Sequence, residues 1–214
     1  MLEELIEANG YIKSKIQEKN QLILEMEKYA EEHNVPIISK EVAAYLQFII
    51  RERKPKHVLE VGTAIGYSGI VMGMEMDRDA TITTIEIDPV RMEIAKENFL
   101  KSKLKMEDIH LILGDAGEVI PKLNEETYDF VFIDAAKGQY KKFFDDSYAR
   151  LEEGGMVFID NIMFRGYLYK EYPSKFKTIV RKLDEFITYL YENHNFVLLP
   201  FGDGIGLVIK GEKK

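Results

Sequence analysis

The hydrophobic and polar positions of this chain follow one period before Pro55 and another after it. Before Pro55, apolar residues recur every three or four positions, which is the spacing of one helix face. Residues 2–54 are therefore predicted to be helical, with a break at Asn34-Val35-Pro36 and a new helix starting near Ser39. The apolar stripe of this region consists of Ile12, Ile16, Ile23, Met26 and Ala30.

After Pro55, short alternating apolar runs typical of strands are separated by helical patterns. Strands that alternate with helices favour an α/β fold with a mainly parallel sheet and helices on both faces. The last two runs are joined only by Phe201-Gly202-Asp203-Gly204, too short for a crossover helix, so they are predicted to be antiparallel neighbours. The predicted strands are His57–Val61, Thr81–Glu86, Ile109–Leu113, Phe130–Asp134, Met156–Asp160, Phe196–Pro200 and Ile205–Lys210.

The chain of 214 residues contains no repeat, low-complexity segment or Pro/Gly/Ser-rich linker, so a single domain over 1–214 is predicted. Within it we distinguish an N-terminal helical part, 1–54, from an α/β core, 55–214. No apolar run approaches the roughly 20 residues that span a bilayer, and the start MLEELIEANG lacks the basic and apolar segments of a secretory signal. We therefore expect a cytoplasmic protein with no membrane partner.

Composition restricts the chemistry that the chain can perform. Because it has no cysteine, disulfides, thiolate metal sites and cysteine nucleophiles are excluded, and any metal must be bound by oxygen or imidazole. The net charge of −8 counts against DNA and against non-specific wrapping of nucleic acid, although a local basic patch can still bind one folded RNA.

The segment VLEVGTAIGYSGI, Val58–Ile70, joins a buried strand to a helix through a glycine-spaced turn. Gly62 and Gly66 allow a tight turn and a close approach of the backbone to a ligand. A helix over Gly66–Met76 is predicted to follow, and its N-terminal amides with the Ser68 hydroxyl can hold a carboxylate or phosphate. The spacing is not the G-x-G-x-x-G of dinucleotide-binding proteins, and a plain strand-to-helix turn is the alternative.

Acidic residues lie at the ends of several predicted strands. In doubly wound sheets, ligands bind beyond the carboxyl ends of the strands, so chemistry is expected there. Glu86, which ends the second strand, is placed to accept hydrogen bonds from the ribose of either NAD or S-adenosylmethionine. Alternatively, it is a solvated charge before the helix start at Asp88-Pro89. The acidic set comprises Glu60, Glu86, Asp115, Asp134 and Asp160, the last followed by Asn161.

Asp134, Asp160 and Asn161 bring three oxygen ligands from two strand ends, a set that suits Mg²⁺. A magnesium ion there can bind a substrate hydroxyl and lower its pKa. If a helix opens at Ala135, Lys137 faces the same site and can take the hydroxyl proton or stabilise the resulting oxyanion. The alternative is that the two aspartates are caps and that Lys137 is a solvated amine.

These motifs carry a family resemblance. The set VLEVGTAIGYSG, TTIEID, GDA, FIDAAKGQY, DN and GDGI resembles the cation-dependent class I O-methyltransferases, which include catechol and caffeoyl-CoA O-methyltransferases, over about residues 36–210. YAEEHNVPI, FIDAAKGQY and DNIMFRG are most similar to the bacterial branch that methylates 5-hydroxyuridine in tRNA. The resemblance implies a Rossmann-like seven-stranded sheet, S-adenosylmethionine as donor, a homodimer, and Mg²⁺ or another divalent cation at Asp134, Asp160 and Asn161.

The resemblance also implies roles for individual residues. Lys137 is the expected base, with Asp134 beside it as the second catalytic residue. One departure is that the chain has no tryptophan, whereas catechol methyltransferases use tryptophans around donor and substrate, so a catechol specialist is disfavoured. The donor is expected to contact Ile38, Gly62, Thr63, Tyr67, Ser68, Glu86, Asp115, Ala116 and Asp134.

Two kinds of acceptor fit such a metal site. The 5-hydroxyl and 4-carbonyl oxygens of 5-hydroxyuridine are vicinal, as the two oxygens of a catechol are. The segment from Arg165 to Lys170 adds aromatic and cationic groups that can stack on a base and meet phosphates. Arg165, Tyr167 and Asp203 are therefore predicted to contact the acceptor. Arg51, Arg53, Lys54 and Lys56 form another basic cluster, and the alternative for both regions is a solvated loop or helix end.

Three functions are compatible with these residues. The leading hypothesis is a metal-dependent methyltransferase acting on tRNA, and the second is the same chemistry on a small phenolic or catechol-like molecule. The third is a dinucleotide-dependent oxidoreductase, which the absent G-x-G-x-x-G disfavours. A noncatalytic donor-binding module would leave Lys137 and the proposed metal ligands unexplained.

Overall fold

A computed structural model describes residues 2–123 and 128–213. Three helices precede the first strand, and strands then alternate with helices, as the sequence predicts. The helices are α1 (Leu2–Lys15), α2 (Gln21–His33), α3 (Lys40–Arg53), α4 (Tyr67–Gly73), α5 (Pro89–Lys101), α6 (Ala116–Val119), α7 (Tyr140–Tyr148) and α8 (Lys177–Asn193). The strands are β1 (His57–Val61), β2 (Thr81–Glu86), β3 (Ile109–Leu113), β4 (Tyr128–Ile133), β5 (Leu151–Ile159), β6 (Asn195–Leu199) and β7 (Ile205–Ile209).

The strands of the described residues form one seven-stranded sheet in the order β3-β2-β1-β4-β5-β7-β6. The pairs from β3 to β5 are parallel, and β7 runs antiparallel to both β5 and β6. The predicted antiparallel pair is therefore confirmed, and β7 is the strand that joins this pair to the parallel part. The carboxyl ends of β1 to β5 consequently meet at one edge of the sheet.

Helices cover both faces of the sheet, as predicted. Val58 and Leu59 are adjacent in β1 and fully buried, but they join separate hydrophobic clusters because successive strand residues point to opposite faces. The first cluster packs α2, α3, α4 and α5 against the sheet. The second packs α6, α7 and α8 against the other face. The sequence of a strand that is buried on both faces is mostly apolar and does not alternate with polar residues.

The largest departures from the predicted boundaries are in the N-terminal stripe, α4 and β5, while β4 starts two residues early and several other strand ends move by one residue. The N-terminal stripe is interrupted between Lys15 and Gln21, because the Asn20 side chain caps α2 by accepting from the Leu22 and Ile23 amides. Helix α4 ends at Gly73, not at Met76. Strand β5 begins at Leu151, five residues early, because Leu151 already pairs with Tyr128 before a register shift.

No helix in residues 2–123 and 128–213 combines the length and apolar content that crossing a membrane requires.

Candidate active site

A cavity of about 380 Å³ opens at the carboxyl ends of β1, β2, β3 and β4. This is the edge where the sequence places the chemistry, and the volume falls in the range of small-molecule sites. All nine residues predicted to contact the donor line this one cavity, and Lys137 and Asn161 line it as well. Their contact with a donor stays a prediction. The nine are Ile38, Gly62, Thr63, Tyr67, Ser68, Glu86, Asp115, Ala116 and Asp134.

The glycine turn brings the backbone against the neighbouring strand end. Gly62 has φ +102°, and a Cβ at this position would collide with the Asp134 carbonyl oxygen. The Gly62 and Thr63 amides both donate to the Ile85 carbonyl, which ties the turn to β2. Gly66 is also left-handed, at φ +86°, and lies against Phe99 of α5. The conformation of the turn therefore favours glycine at both positions.

The Ser68 hydroxyl is not free to bind a ligand anion. It donates to Glu60 Oε1 at 2.5 Å, while Thr84 Oγ1 donates to Glu60 Oε2 at 2.6 Å. Glu60 is fully buried, and burial raises the pKa of its carboxyl to about 7. Glu60 thus joins β1, β2 and α4 beneath the cavity. The predicted anion-binding role of the Ser68 hydroxyl is wrong, although the residue does line the cavity.

Glu86 is held rigidly at the end of β2. Its Oε2 accepts from the Ala64 amide at 2.8 Å, and its Oε1 accepts from the Ile87 and Asp88 amides at 2.9 Å. The residue is 6% exposed, so the alternative of a solvated strand-end charge is wrong. A carboxylate fixed in this way can still accept hydrogen bonds from ligand hydroxyls, because each oxygen has two lone pairs.

The connection between α2 and α3 lines one side of this cavity with Pro36, Ile37 and Ile38. Tyr67 donates its hydroxyl to Glu27 of α2 at 3.0 Å, and burial raises the pKa of this hydroxyl above its usual range. Glu27 also pairs with Lys40 of α3 at 2.8 Å. Several other cavity residues were not assigned to the site from the sequence, because tertiary packing brings them there. They are Pro36, Ile37, Arg91, Gln139 and Phe143.

Lys137 lies among the predicted metal ligands. Its Nζ is 3.9 Å from Asp134 Oδ1, 3.5 Å from Asn161 Oδ1 and 3.4 Å from the Tyr140 hydroxyl. The helix does not open at Ala135 as expected: a 3₁₀ turn spans Lys137–Gln139, and α7 starts at Tyr140. The turn nevertheless directs the amine into the site, so the solvated-amine alternative does not describe Lys137.

Asp160 supplies a carboxylate oxygen that the protein leaves without a partner. Its Oδ1 accepts from the Asn161 amide at 2.8 Å, but the buried Oδ2 accepts from no group in the described chain. Burial first, and then repulsion from Asp134, raises the pKa of Asp160. The Tyr140 hydroxyl donates to the Asp160 carbonyl oxygen at 2.9 Å and fixes the backbone here. An unsatisfied buried oxygen of this kind is costly unless a ligand occupies it.

The predicted metal ligands fit a hard cation. Asp134, Asp160 and Asn161 offer two carboxylates and one amide oxygen, and Mg²⁺ commonly takes one or two carboxylates together with waters and substrate oxygens. Asn161 adopts φ +53°, which places its side chain at the mouth shared with Lys137. Within residues 2–123 and 128–213, no group of three His, Asp or Glu side chains lies close enough together to bind a metal. A metal site here therefore needs the amide oxygen of Asn161 as a ligand.

The acceptor-side residues meet next to Asn161. Asp203 Oδ2 accepts from the Arg165 amide at 2.7 Å, so Asp203 ties the loop before β7 to the loop after β5. The Arg165 side chain is exposed. The Tyr167 ring packs on Phe164 and Phe176 at centroid distances of 5.4 and 5.5 Å, and it stabilises this loop. Contact of these residues with an acceptor stays a prediction.

The second basic cluster does not face the cavity. Arg53 and Lys56 flank the amino end of β1, whereas the cavity lies at the carboxyl end. Arg51 pairs with Glu75 at 2.8 Å, and Lys56 pairs with Asp77 and Asp79 at 3.0 and 2.8 Å. This cluster is therefore not part of the rim around the cavity.

Comparison with known proteins identifies the family. A sequence profile described as O-methyltransferase matches residues 13–211. The chain belongs to this O-methyltransferase family. An O-methyltransferase of Mycobacteroides abscessus is 32% identical over 170 residues, which cover 78% of each chain. One from Mycobacterium sp. strain JLS is 30% identical over 170 residues, which cover 78% of this chain and 76% of the relative.

Solved structures agree with this assignment. A Staphylococcus aureus protein assigned as a caffeoyl-CoA O-methyltransferase has a TM-score of 0.82 and 29% identity over 98% of both chains. A methyltransferase of Podospora anserina in its SAH-bound form has a TM-score of 0.84 and 24% identity over 98% of this chain and 96% of that one, and shows the shared fold. The protein is a SAM-dependent O-methyltransferase, which confirms the predicted enzyme class and replaces the oxidoreductase hypothesis.

Proposed function

We propose that this enzyme transfers the methyl group of S-adenosylmethionine to the 5-hydroxyl of wobble 5-hydroxyuridine in tRNA, with Mg²⁺ bound by Asp134, Asp160 and Asn161. The observation that carries the metal-dependent chemistry is the buried Asp160 Oδ2, which lies at the same site as Asn161 and Lys137 and has no hydrogen-bond partner among the described residues. A group that satisfies this oxygen must bring positive charge or a hydrogen-bond donor. A cation satisfies it and also offsets the repulsion between the two aspartates.

The donor fits the cavity at the strand ends. Glu86 is fixed by three backbone amides and accepts the ribose hydroxyls, while Asp115, which caps α6 by accepting from the Gly117 amide at 2.8 Å, lies where the adenine binds. The methionine end then points toward the glycine turn and Asp134. This orientation places the methyl group between the donor cavity and the acceptor side at Asn161.

The residues of the site can carry out the proton and methyl transfers. A Mg²⁺ ion held by Asp134, Asp160 and Asn161 would lower the pKa of the acceptor hydroxyl. Lys137 accepts the hydroxyl proton as the general base and then stabilises the adjacent negative charge. The acceptor oxygen forms the new bond to the methyl carbon as the carbon–sulfur bond breaks, and the electron pair stays on sulfur to give S-adenosylhomocysteine. Asp134 holds Lys137 in place at 3.9 Å.

The rim of the site supports an RNA acceptor. Tyr169 is 61% exposed, and the Lys170 amine lies over its ring at 5.4 Å from the centroid. With the exposed Arg165, these residues offer one stacking surface and two cations on the loop that follows Asn161. Stacking and phosphate contacts of this kind are the usual means of holding a splayed base.

A small phenolic acceptor is the second candidate. It is favoured by the Staphylococcus aureus relative, which is assigned as a caffeoyl-CoA O-methyltransferase at 29% identity. The two acceptors use the same vicinal oxygens, so turnover must decide between them. The purified enzyme is incubated with labelled S-adenosylmethionine and either tRNA containing 5-hydroxyuridine or caffeoyl-CoA, with Mg²⁺ or with EDTA. Methyl transfer to tRNA that EDTA abolishes supports the proposal, whereas transfer to caffeoyl-CoA alone contradicts it.

We further propose that the chain is a single domain that acts in the cytoplasm as a homodimer. Tyr11 of α1 and Phe48 of α3 are 67% and 57% exposed, and Leu24 of α2 is 38% exposed. These large apolar side chains on the N-terminal helices are suited to contact a second copy. Light scattering tests the mass, and a monomer at micromolar concentration would contradict the dimer.

A further inference from the structure

A second cavity, of about 510 Å³, adjoins the donor cavity, and Asn161 lines both. Its walls are Lys13 from α1, Ser39 and Glu41 from the start of α3, and the loop that contains Gly202 and Asp203. Gly202 makes the close packing possible, since a Cβ there would lie 2.7 Å from Val42. An acceptor that reaches Asn161 from the side opposite the donor must occupy this space.

Ser39 holds a hydroxyl that its local structure does not use. It is the N-cap residue of α3, and serine in this position normally accepts from a first-turn amide. Here the side chain makes no cap hydrogen bond, and Oγ is buried without a partner in the described chain. The hydroxyl is therefore available to a group in the adjoining cavity.

Glu41 holds the second unused oxygen of this wall. The residue is 2% exposed, and its Oε1 lies 3.2 Å from Lys13 Nζ. Its Oε2 is buried and has no hydrogen-bond partner among the described residues. An ionised carboxylate accepts hydrogen bonds and cannot donate them, so the group that satisfies Oε2 must carry an N–H or O–H. Two unsatisfied oxygens within three residues of one cavity wall indicate a ligand.

We propose that Ser39 and Glu41 form the subsite that recognises the acceptor, and that they select an acceptor with N–H or O–H donors beside the methylated hydroxyl. This inference rests on the proposed function and deepens it. A uridine nucleotide has such donors in its ring imide and ribose hydroxyl, whereas the ring edge of a simple catechol beyond its two oxygens has none. Discrimination by buried polar groups is strong, because an acceptor without the donor leaves them unpaired.

The test compares kcat and KM for an anticodon stem-loop containing 5-hydroxyuridine and for catechol itself. Glu41→Gln and Ser39→Ala are the test variants. Glu41→Gln should raise KM for the stem-loop about tenfold or more, since a charge-assisted hydrogen bond is lost. Its KM for S-adenosylmethionine and for catechol should stay near the wild-type values. Ser147→Ala is the matched control, because Ser147 Oγ is also buried without a partner in the described chain but lies on α7, away from both cavities.

Lys13→Gln separates recognition from a structural role of the ion pair. If Glu41 served only to hold α1 through Lys13, Glu41→Gln and Lys13→Gln would change KM by the same factor for every substrate. That result, or an unchanged stem-loop KM in Glu41→Gln and Ser39→Ala, would overturn the subsite while leaving the proposed function intact. A wild-type enzyme that does not methylate the stem-loop would overturn both.

Discussion

Asp160 and Asp134 bring two carboxylates to a site from which water is largely excluded. Burial raises the pKa of both carboxyls, and the nearby charge of Lys137 lowers it by a smaller amount. One ammonium at 3.9 Å from Asp134 does not satisfy the second carboxylate, whose Oδ2 has no partner in the described chain. Such a site is unfavourable for the folded protein alone and favourable for binding a cation, which is the usual compromise between stability and function.

Asp160→Asn should separate catalysis from folding and from donor binding. We expect methyl transfer to fall by about 100-fold or more, since metal assistance supplies several kcal/mol. Thermal stability should be kept or increased, because a buried unpaired carboxylate is removed. Calorimetry with S-adenosylmethionine should give a nearly unchanged affinity. Asp145→Asn is the control, since Asp145 forms a surface pair with Lys141. Full turnover of the Asp160 variant would contradict the metal site.

The glycine turn between β1 and α4 depends on the absence of one Cβ. Gly62→Ala introduces a methyl group against the Asp134 carbonyl at φ +102°, so we expect a loss of about 2 kcal/mol or more in unfolding free energy. Gly154→Ala has a similar left-handed φ of +79° but no atom within 4 Å of the new Cβ, so it should cost only about 1 kcal/mol. Urea denaturation of both variants tests this. Equal losses of unfolding free energy in the two variants would show that the backbone shifts to relieve the collision with the Asp134 carbonyl.

Glu60 links β1, β2 and α4 in a way that makes the fold sensitive to pH. Burial raises the pKa of its carboxyl from 4.5 to about 7, so between these values the folded protein holds a proton that the unfolded chain has released. The stabilisation is fully present below pH 4.5 and is lost as pH rises through about 7. Unfolding free energy should therefore fall across this window.

Glu60→Gln should remove that dependence, because an amide does not ionise. The difference in unfolding free energy between wild type and variant should change by up to about 3 kcal/mol across the window, in favour of the variant at the higher pH. Urea denaturation at several values between about pH 5 and 8 measures it. A difference that stays constant with pH would mean that Glu60 is ionised throughout.

Short-range sequence patterns predicted most of the helices and strands. The features that they did not predict, such as strand order, depend on packing between distant parts of the chain. The bounds of β1, β2 and β3 follow from their apolar runs. A four-residue loop predicts that β6 and β7 pair, but it does not say which of them contacts β5. For the site, strand ends identified Glu86, Asp134 and Asp160. Ser39 and Glu41 carried no signal, because only the folding of α3 over the sheet brings them to Asn161.

Under the proposed function, the molecule as a whole binds a polyanion despite its own negative charge. The net charge is −8, so any attraction to tRNA has to come from a local group of cations and should weaken quickly with salt. The basic cluster near the amino end of β1 lies at the opposite end of the sheet from the cavity, and two of its members, Arg51 and Lys56, pair with acidic neighbours. The loop after Asn161, with Arg165 and Lys170, is a cationic region near the cavity proposed for the acceptor.

Arg165→Ala should therefore weaken tRNA binding without altering the chemistry. Removing one cation that neutralises a phosphate lowers the slope of log affinity against log salt by about one, so we expect that change together with a near-normal kcat at saturating tRNA. Arg51→Ala is the matched control, since it removes an exposed arginine held by Glu75 at the far end of the sheet. Binding is measured by fluorescence anisotropy over a salt series. If both variants bind with the wild-type slope, Arg165 does not neutralise a phosphate. If the Arg51 variant alone loses affinity, the RNA lies on the opposite edge of the sheet, where it cannot reach Lys137.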